Sequence, residues 1–331
     1  MTARLLCVLG MHRSGTSAVT QYLHRLGATL GPRLLETMAG VNAEGFWEDR
    51  CVVDMNQRLL ATRGRRWYDW EAVASRDDSV ETPLRDEAIG HFARYYAVND
   101  VSVVKDPRLC RLLPFWLDVW SAAAVEPLFV HVARHPFAVA KSLQRRDRIP
   151  YEYGVLLWLV YTLEAISHTT ASPGVVVVYD RFLLRPQELA ETLISRYGVA
   201  LPATKARWLE AAATIDQHLR HNDNSIETTL GLQEVCTLAV SLFEAIAATP
   251  LGDQVDTTQI EQWNAELRQA LTRRCDDVAM LSRLGAELMG LSAEMVRIGE
   301  LHASALTLIQ DIRYLRFWRL LPRVMRKVRR T

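Results

Sequence analysis

The segment that most constrains the fold runs from residue 4 to residue 27 and reads RLLCVLGMHRSGTSAVTQYLHRLG. Arg4 to Leu9 is a short apolar run that predicts a buried strand. Ser17 to Leu26 carries apolar residues at helical spacing and is followed by Gly27, a residue typical of the position after a helix end. A strand, a glycine-containing turn and a helix N-terminus direct backbone N–H groups and a positive dipole end to one point. The segment therefore predicts an anion-binding loop.

The loop departs from the nucleotide triphosphate pattern at one position. Gly10, Gly15 and Ser17 match the frame G-x-x-x-x-G-K-[ST], but Thr16 stands where the lysine belongs. The firmly charged side chain of the loop is Arg13 instead. Kinases and NTPases need that lysine on the phosphates and a magnesium ion on the next hydroxyl. The loop therefore indicates a different anion, bound without a metal.

Three later runs rich in Val and Leu predict further strands, at residues 101–104, 127–133 and 174–179, with helical patterns between them. Such alternation is typical of an α/β fold with a parallel β-sheet flanked by helices on both faces. Ligands of these sheets bind beyond the carboxyl ends of the strands. Charged groups follow every predicted strand, and we expect them on one rim: Arg13, Lys105 with Arg108, Arg134, and Asp180 with Arg181.

A second candidate anchor follows the third predicted strand. Arg134 stands at the strand end, and Ser142 comes eight residues later, two turns into the next predicted helix. A guanidinium and a hydroxyl at this spacing can hold one phosphate together. With Arg13-Ser-Gly-Thr-Ser17, this element resembles the sulfotransferases. Their 5′-phosphosulfate loop has the form (K/R)-(S/T)-G-(S/T)-(S/T), and their 3′-phosphate element has the form R-x(7)-S.

The resemblance covers roughly residues 4–225 and is closest to bacterial sulfotransferases with the segments G-M-H-R-S-G-T-S, N-x-x-G-F-W-E, K-D-P-R and R-H-P. It implies a P-loop NTPase-like sulfotransferase fold and the transfer of a sulfuryl group from 3′-phosphoadenosine 5′-phosphosulfate to an acceptor hydroxyl, without a metal. It assigns Arg134 and Ser142 to the 3′-phosphate, and more weakly Arg220 to the nucleotide. The loop residues assigned to the 5′-phosphosulfate are Arg13, Ser14, Gly15, Thr16 and Ser17.

The resemblance leaves several candidates for the base that accepts the acceptor proton. Glu48 is the first, because its segment resembles a family motif that we expect to fold over the loop. Glu36 is the second, since related families place a glutamate some twenty residues after the cation of the loop. Asp106 and His12 also lie near the predicted rim, and each of the four could instead be a helix cap or an ion-pair partner. Arg13 is predicted to stabilise the leaving phosphosulfate bridge.

The acceptor site is less determined by the sequence. Lys105 and Arg108 could contact the sulfate or an anionic acceptor, or could form an ion-paired strand end, and Trp47 is predicted to contact the acceptor. Residues 62–83 are predicted to be a surface insertion, followed by a helix that starts at Thr82-Pro83. Trp67, Tyr68 and Trp70 of this insertion are either an aromatic platform for a sugar-like acceptor or a cover on the core. We expect a glycan, a glycolipid or another glycoconjugate.

Composition limits the remaining possibilities. The 331 residues suffice for a sulfotransferase domain at 1–225 and a helical extension at 226–331. Five scattered cysteines without a C-x-x-C pair argue against a metal site or a disulfide framework and favour a reducing compartment. No run approaches the roughly 20 apolar residues that span a bilayer, so a cytoplasmic protein is expected. A formal net charge of +1 disfavours a nucleic-acid partner.

The extension carries two patterns of its own. Apolar residues at alternating spacings of three and four between 281 and 312 predict either a helical hairpin packed on the domain or a coiled coil that forms a homodimer. Residues 313–331 hold eight Lys and Arg and no acidic residue, with aromatic residues interleaved. This pattern suits a peripheral helix at the inner face of an anionic membrane, or a solvated tail. Two other functions stay open for the chain: a small-molecule kinase with a degenerate loop, and a non-catalytic nucleotide-binding scaffold.

Overall fold

A computed structural model describes most of the chain. The described residues are 3–36, 45–73, 78–204, 232–253 and 256–291, together with 208, 210, 211, 293, 294, 297 and 304.

The described residues contain a four-stranded parallel sheet. Its strands are β1 (Ala3–Leu9), β2 (Val101–Lys105), β3 (Val125–Ala133) and β4 (Gly174–Val178), in the spatial order β2-β1-β3-β4. Leu6 of β1 lies opposite Val103 of β2 and Leu128 of β3 in the register of the sheet. The prediction of an α/β fold with a parallel sheet is confirmed.

β1 is apolar on both faces because both are covered by helices. Leu6 and Val8 belong to the core cluster on the side of the first helix, and the alternate residues Leu5, Cys7 and Leu9 are equally inaccessible to solvent. A strand with both faces buried reads as an unbroken apolar run rather than an alternating one. This explains why the N-terminal segment carried such a clear strand signal.

Helices cover the sheet on both sides. The described helices with defined bounds are α1 (Thr16–Arg25), α2 (Arg50–Thr62), α3 (Asp78–Tyr95), α4 (Leu109–Ala122), α5 (Pro136–Asp147), α6 (Tyr151–Ser167), α7 (Tyr179–Leu184), α8 (Gln187–Tyr197), α9 (Gln233–Ala248) and α10 (Thr257–Arg273). α1, α7 and α8 contribute to the core cluster on one face, whereas α4 and α6 pack against β3 on the other. Each face therefore has its own apolar layer.

The strand order creates a crevice between β1 and β3. The chain leaves β1 towards β2 on one side, and it leaves β3 towards β4 on the other. The loops after these two neighbouring strands therefore diverge, and ligands of open α/β sheets bind where such loops separate. Arg13 follows β1 and Arg134 follows β3, so the topology places the two predicted phosphate anchors on either side of this crevice.

The helix predicted to start at Thr82-Pro83 begins earlier. α3 starts at Asp78 and contains Pro83 in its interior. Proline there gives up a backbone hydrogen bond to the preceding turn, but Leu84, Ala88 and Phe92 are buried along one face. Burial of that apolar face stabilises the helix, so α3 can begin before Pro83 although proline alone favours a later start.

Helices also follow α8 in the described part of the chain. α9 and α10 both contact α6, and a further helix occupies 275–291. One compact unit ends at Gly285 and a second comprises 286–331. The domain boundary predicted at residue 225 lies outside the described residues, as do most of the apolar positions proposed for a coiled coil and the whole basic segment 313–331. Among the described helices, none combines the length and apolar character needed to cross a bilayer.

Candidate active site

The loop after β1 turns sharply before α1. The N–H of Ser14 donates to the carbonyl of Met11 at 3.1 Å, and Arg13 between them has a left-handed φ of 72°. Gly15 follows with a φ of 92°, and a Cβ on it would stand 2.1 Å from the ring of Tyr179. A side chain at position 15 would therefore be both strained and in collision. Glycine there allows the loop to pack against the residue that follows β4.

Arg13 joins the two predicted anchors directly. Its Nε donates a hydrogen bond of 2.8 Å to Oγ of Ser142, although the two residues lie 129 positions apart in the chain. Ser142 is buried on α5, in the second turn of the helix that follows β3. The structure thus brings the cation of the loop to the serine of the R-x(7)-S element.

Arg134 completes this corner of the site. Its NH1 group donates to the backbone carbonyl of Arg13 at 3.4 Å, and its guanidinium lies 5.2 Å from the ring centre of Tyr179. Burial is the largest influence on both arginines and lowers the pKa of each guanidinium below its ordinary value. Buried cations that lie this close to one another form a site of positive potential at the crevice between β1 and β3.

Lys105 supplies a further cation from the neighbouring strand. Its ammonium donates to Oγ of Ser17 at 3.3 Å and to Oε1 of Glu48 at 2.5 Å, and its side chain is only 2% exposed. Ser17 in turn donates to the carbonyl of Phe46 at 3.3 Å. The end of β2, the first turn of α1 and the segment before α2 therefore meet at one lysine. Burial raises the pKa of the Glu48 carboxyl above its ordinary value, while the charge of Lys105 opposes that rise.

The backbone around Glu48 is held firmly in place. Asp49 caps α2 by accepting the N–H of Cys51 at 3.0 Å, and its other carboxylate oxygen contacts His91 Nε2 at 2.7 Å and the Tyr96 hydroxyl at 3.0 Å. Trp47 has a left-handed φ of 57°, a conformation that is strained for a bulky residue. These constraints fix the direction in which the Glu48 side chain leaves the backbone.

Trp47 packs against α1, and Glu36 is exposed to solvent. The ring of Trp47 packs 5.8 Å from that of His24, seven residues along α1 from Ser17. Glu36 is exposed, and its neighbour Leu35 donates its N–H to the carbonyl of Glu48 at 2.9 Å. Arg220 lies outside the described residues.

Both carboxylate oxygens of Asp106 accept hydrogen bonds. It is fully buried, and its two carboxylate oxygens accept hydrogen bonds from Asn56 at 2.9 Å, from the backbone N–H of Arg108 at 3.0 Å and from the Arg108 guanidinium at 2.9 and 3.1 Å. Asn56 receives the indole N–H of Trp116 at 2.7 Å. The oxygens of this carboxylate are therefore already engaged by donors of the protein itself.

The insertion after α2 forms a wall beside the loop. The ring of Trp67 lies 4.4 Å from that of His12. The wall is fixed through its backbone: the hydroxyls of Tyr161 and Tyr153 donate to the carbonyls of Trp67 and Tyr68 at 2.5 and 2.8 Å. Arg111 donates to the carbonyls of the next residues, Asp69 and Glu71, and pairs with Glu164 at 2.9 Å.

Several buried donors at this site lack a partner among the described residues. They are Nε2 of His12, Oγ of Ser14 and Nε of Arg108. A buried polar group without a hydrogen bond costs about 1–3 kcal/mol, so such groups are rare unless something else satisfies them. An oxygen of a phosphate or sulfate can accept from the Ser14 hydroxyl or the Arg108 N–H, and from His12 in the tautomer that carries its proton on Nε2. The residues present therefore fit an oxyanion ligand at the loop.

The sequence did not single out Arg146 or the contact between His12 and Trp67. Arg146 lies on α5 one turn beyond Ser142, and its charge lowers the pKa of both His12 and Arg13. The spacing of four from Ser142 was a usable signal, because residues four apart share a helix face. The packing of Trp67 on the loop left no comparable signal, since it depends on a tertiary contact.

Comparison with known proteins yields one solved structure to report. The chain is similar to a sulfotransferase domain from the olefin synthase of Synechococcus, with a TM-score of 0.47 and 18% sequence identity over 73% of this chain and 94% of that domain. No family model matches the chain. No curated protein matches it either.

Proposed function

We propose that this chain is a sulfotransferase that moves a sulfuryl group from 3′-phosphoadenosine 5′-phosphosulfate to an acceptor hydroxyl. The observation that carries the proposal is the hydrogen bond of 2.8 Å from Arg13 to Ser142. It joins a loop cation after β1 to a helix serine after β3, with Arg134 beside them. A donor with two separate anionic groups needs two adjacent anchors of this kind.

The reaction is a displacement at sulfur. The acceptor oxygen forms a bond to sulfur while the bond from sulfur to the bridging oxygen breaks, and 3′-phosphoadenosine 5′-phosphate leaves with that electron pair. Arg13 and the loop N–H groups stabilise the charge that develops on the bridging oxygen. Lys105, which reaches Ser17 of the same loop, holds the transferring oxygens. The acceptor proton goes to a nearby base.

Glu48 is the carboxylate best suited to take that proton. Its Oε1 accepts a hydrogen bond from Lys105, and burial raises its pKa towards the range useful for proton transfer near neutral pH. Asp106 is less suited, because Asn56 and Arg108 occupy its oxygens. Glu36 is exposed and lacks the burial that raises the pKa of Glu48, and the residue before it contacts the Glu48 backbone. We assign the base to Glu48 and a positioning role to Asp106.

The alternative of a magnesium-dependent kinase is disfavoured by the residues around Ser17. In that mechanism the corresponding hydroxyl binds the metal ion. Here Ser17 accepts from the ammonium of Lys105 and donates to the carbonyl of Phe46, so both of its hydrogen-bonding roles are engaged. Asp106, the buried acid after the neighbouring strand, is engaged by Arg108. A cation beside Ser17 repels a divalent metal.

Isothermal titration calorimetry with the full chain tests the proposal. We expect 3′-phosphoadenosine 5′-phosphate to bind without metal and more tightly than ATP with magnesium. The matched comparison is adenosine 5′-phosphate, which lacks the 3′-phosphate and should bind at least ten times more weakly because it makes no use of Arg134 and Ser142. Preference for ATP with magnesium would establish the kinase reading. Absence of binding by all three would leave the non-catalytic scaffold.

The acceptor and the partners extend this proposal. We propose a glycan or glycolipid hydroxyl as the acceptor, with Trp67 beside the loop as an aromatic surface for a sugar ring. The basic residues at 313–331 suit an anionic membrane surface on the cytoplasmic side, and the apolar stripe from 281 suits a homodimer. Co-sedimentation with phosphatidylserine vesicles should be lost when residues 313–331 are removed. Light scattering should report a dimer for the full chain.

A further inference from the structure

Three side chains that can bind a metal, each of a different chemistry, meet at the start of α2. A carboxylate oxygen of Asp49, the thiol sulfur of Cys51 and a ring nitrogen of His91 all lie within 4.8 Å of one another. His91 belongs to α3 and stands 42 positions after Asp49 in the chain. The sequence argued against a metal site because it has no C-x-x-C pair. It carried no signal for this set, which forms only because α2 packs against α3.

The turn into α2 explains why the first two of these residues approach each other. Asp49 is the N-cap of the helix, and its Oδ1 accepts the N–H of Cys51 at 3.0 Å. Its Oδ2 lies 2.7 Å from Nε2 of His91 and accepts the hydroxyl of Tyr96 at 3.0 Å. The carboxylate therefore caps the helix with one oxygen and meets the histidine with the other.

Asp49 is a buried anion with little positive charge beside it. Its side chain is only 1% exposed, and among the ion pairs of the described residues its partner is His91, which carries charge only when it is protonated. Burial of a carboxylate is costly unless the group is paired or coordinates a metal. Gly31 encloses the carboxylate, because a Cβ at that position would stand 2.1 Å from Oδ2. A divalent cation between Asp49 and His91 would supply the counter-charge.

The three ligands can close around one ion through small side-chain adjustments. Zinc binds sulfur at about 2.3 Å and nitrogen or oxygen at about 2.0–2.2 Å, which sets the ligand atoms of a tetrahedral site about 3.3–3.6 Å apart. The 2.7 Å contact between His91 and Asp49 must widen slightly, and the sulfur must come within the same range. Cys51 is partly exposed, so an ion can approach from its side.

Two further groups contact the set and act in opposite directions. Arg33 donates to Sγ of Cys51 at 3.5 Å and competes with a metal for the sulfur. Its side chain is exposed, so the guanidinium can turn into solvent when an ion binds. The Tyr96 hydroxyl is buried and orients Asp49. Hydrogen bonds of this kind commonly orient the ligands of metal sites.

We propose that Asp49, Cys51 and His91 bind one zinc ion, with a fourth position open to water. The combination of thiolate, imidazole and carboxylate favours zinc over magnesium and calcium, which prefer oxygen ligands. On binding, the Cys51 thiol releases its proton to solvent, and the metal replaces the proton between His91 and Asp49. The ion crosslinks α3 to the start of α2. The inference stands whether or not the chain transfers sulfuryl groups.

Cobalt(II) is the probe, because an ion bound to a thiolate absorbs in the near ultraviolet through charge transfer from sulfur. The reduced full chain without an affinity tag should bind one equivalent with this band, and zinc should displace it. Cys51→Ser should abolish the band and weaken zinc binding by more than about tenfold. Tyr96→Phe should keep the band and weaken zinc binding by about tenfold. The matched control is Cys275→Ser, which removes an exposed free cysteine and should change neither property.

A second ligand variant keeps the test decisive if Cys51→Ser does not fold, which circular dichroism reports. His91→Gln should weaken zinc binding by more than about tenfold and retain the sulfur band at higher cobalt concentration. A wild type that binds neither ion would overturn the assignment, and so would zinc affinity unchanged in both ligand variants. Failure to bind 3′-phosphoadenosine 5′-phosphate is a separate result, since it bears on the proposed function and not on this site.

Discussion

The turns that follow the neighbouring strands β1 and β2 differ in how their buried polar groups are hydrogen-bonded. The turn after β1, residues 10–15, buries the Ser14 hydroxyl and a His12 nitrogen without partners in the described chain. The turn after β2, residues 106–108, buries a carboxylate that accepts four hydrogen bonds. In the proposed function the first turn keeps polar atoms available for a ligand at a cost in stability, whereas the second turn stabilises its own carboxylate. The two turns therefore differ in how far their polar groups are satisfied, since in the second turn the carboxylate is fully engaged and Nε of Arg108 is left without a partner in the described chain.

The largest expected effect concerns Glu48. Its carboxylate pairs with Lys105, the residue just before the second turn. Glu48→Gln should lower the rate of donor turnover by about 10²- to 10⁴-fold, the usual contribution of a general base. Binding of 3′-phosphoadenosine 5′-phosphate should stay unchanged. Turnover is measured as release of that nucleotide from the donor. A variant with near-normal turnover would remove Glu48 from the mechanism.

The pH dependence offers an independent check on the same residue. A base must be ionised to act, and burial raises the pKa of Glu48. Wild-type turnover should therefore fall as the pH drops through a pKa above the ordinary glutamate value of about 4.3. The acidic limb should disappear in Glu48→Gln. Persistence of that limb in the variant would assign it to another group.

Arg13 should show the next largest effect, because it belongs to the turn that is proposed to hold the nucleotide. Arg13→Ala should weaken binding of 3′-phosphoadenosine 5′-phosphate by about 10- to 100-fold, as for the loss of charge-assisted hydrogen bonds. The free energy of unfolding without nucleotide should change by less than about 1 kcal/mol, since a partly desolvated cation is removed with its bond to Ser142. The exposed Arg50, changed to alanine, is the control for surface charge. Unchanged affinity would contradict the assignment of the loop.

For Asp106 we expect a large loss of stability, in contrast to the loss of nucleotide affinity expected for Arg13. Asp106→Ala leaves the buried Arg108 without its counter-charge, so the free energy of unfolding should fall by about 3–5 kcal/mol. Urea denaturation measures the loss. Asp54→Ala breaks an exposed pair with Arg58 and should cost less than about 1 kcal/mol. If Asp106→Ala lost activity while keeping full stability, the distinction between the two turns would fail.

The smallest expected effect is that of Ser14→Ala, and it directly tests whether the unpartnered hydroxyl of the first turn costs stability. Ser14→Ala removes a buried hydroxyl that has no partner in the described chain, so it should leave stability unchanged or raise it by up to about 1 kcal/mol. It should weaken nucleotide binding by about 2- to 10-fold. Ser102 is a buried serine whose hydroxyl donates to the Tyr96 carbonyl at 3.3 Å. Ser102→Ala should instead lower stability, and equal behaviour of the two variants would refute the interpretation of Ser14.

The sequence predicted the parts of the molecule that depend on local pattern. Unbroken apolar runs identified the parallel strands, and short motifs identified Arg13, Arg134 and Ser142, which the structure brings to one crevice. It ranked Glu48 ahead of Asp106 from a motif resemblance, without the contacts that make the two carboxylates different. That difference comes from Asn56 and Lys105, which approach from distant segments. The roles of these residues stay predictions until the variants are measured.

The segment 67–71, which forms the wall beside the loop, is fixed by hydrogen bonds to its backbone carbonyls. Tyr161, Tyr153 and Arg111 donate to backbone oxygens of residues 67–71, not to their side chains. The side chains of Trp67 and Tyr68 can therefore be exchanged without the loss of a bond that fixes the segment. In the proposed sulfotransferase, new acceptor preferences could be selected or engineered at these two positions while the backbone of the segment stays in place.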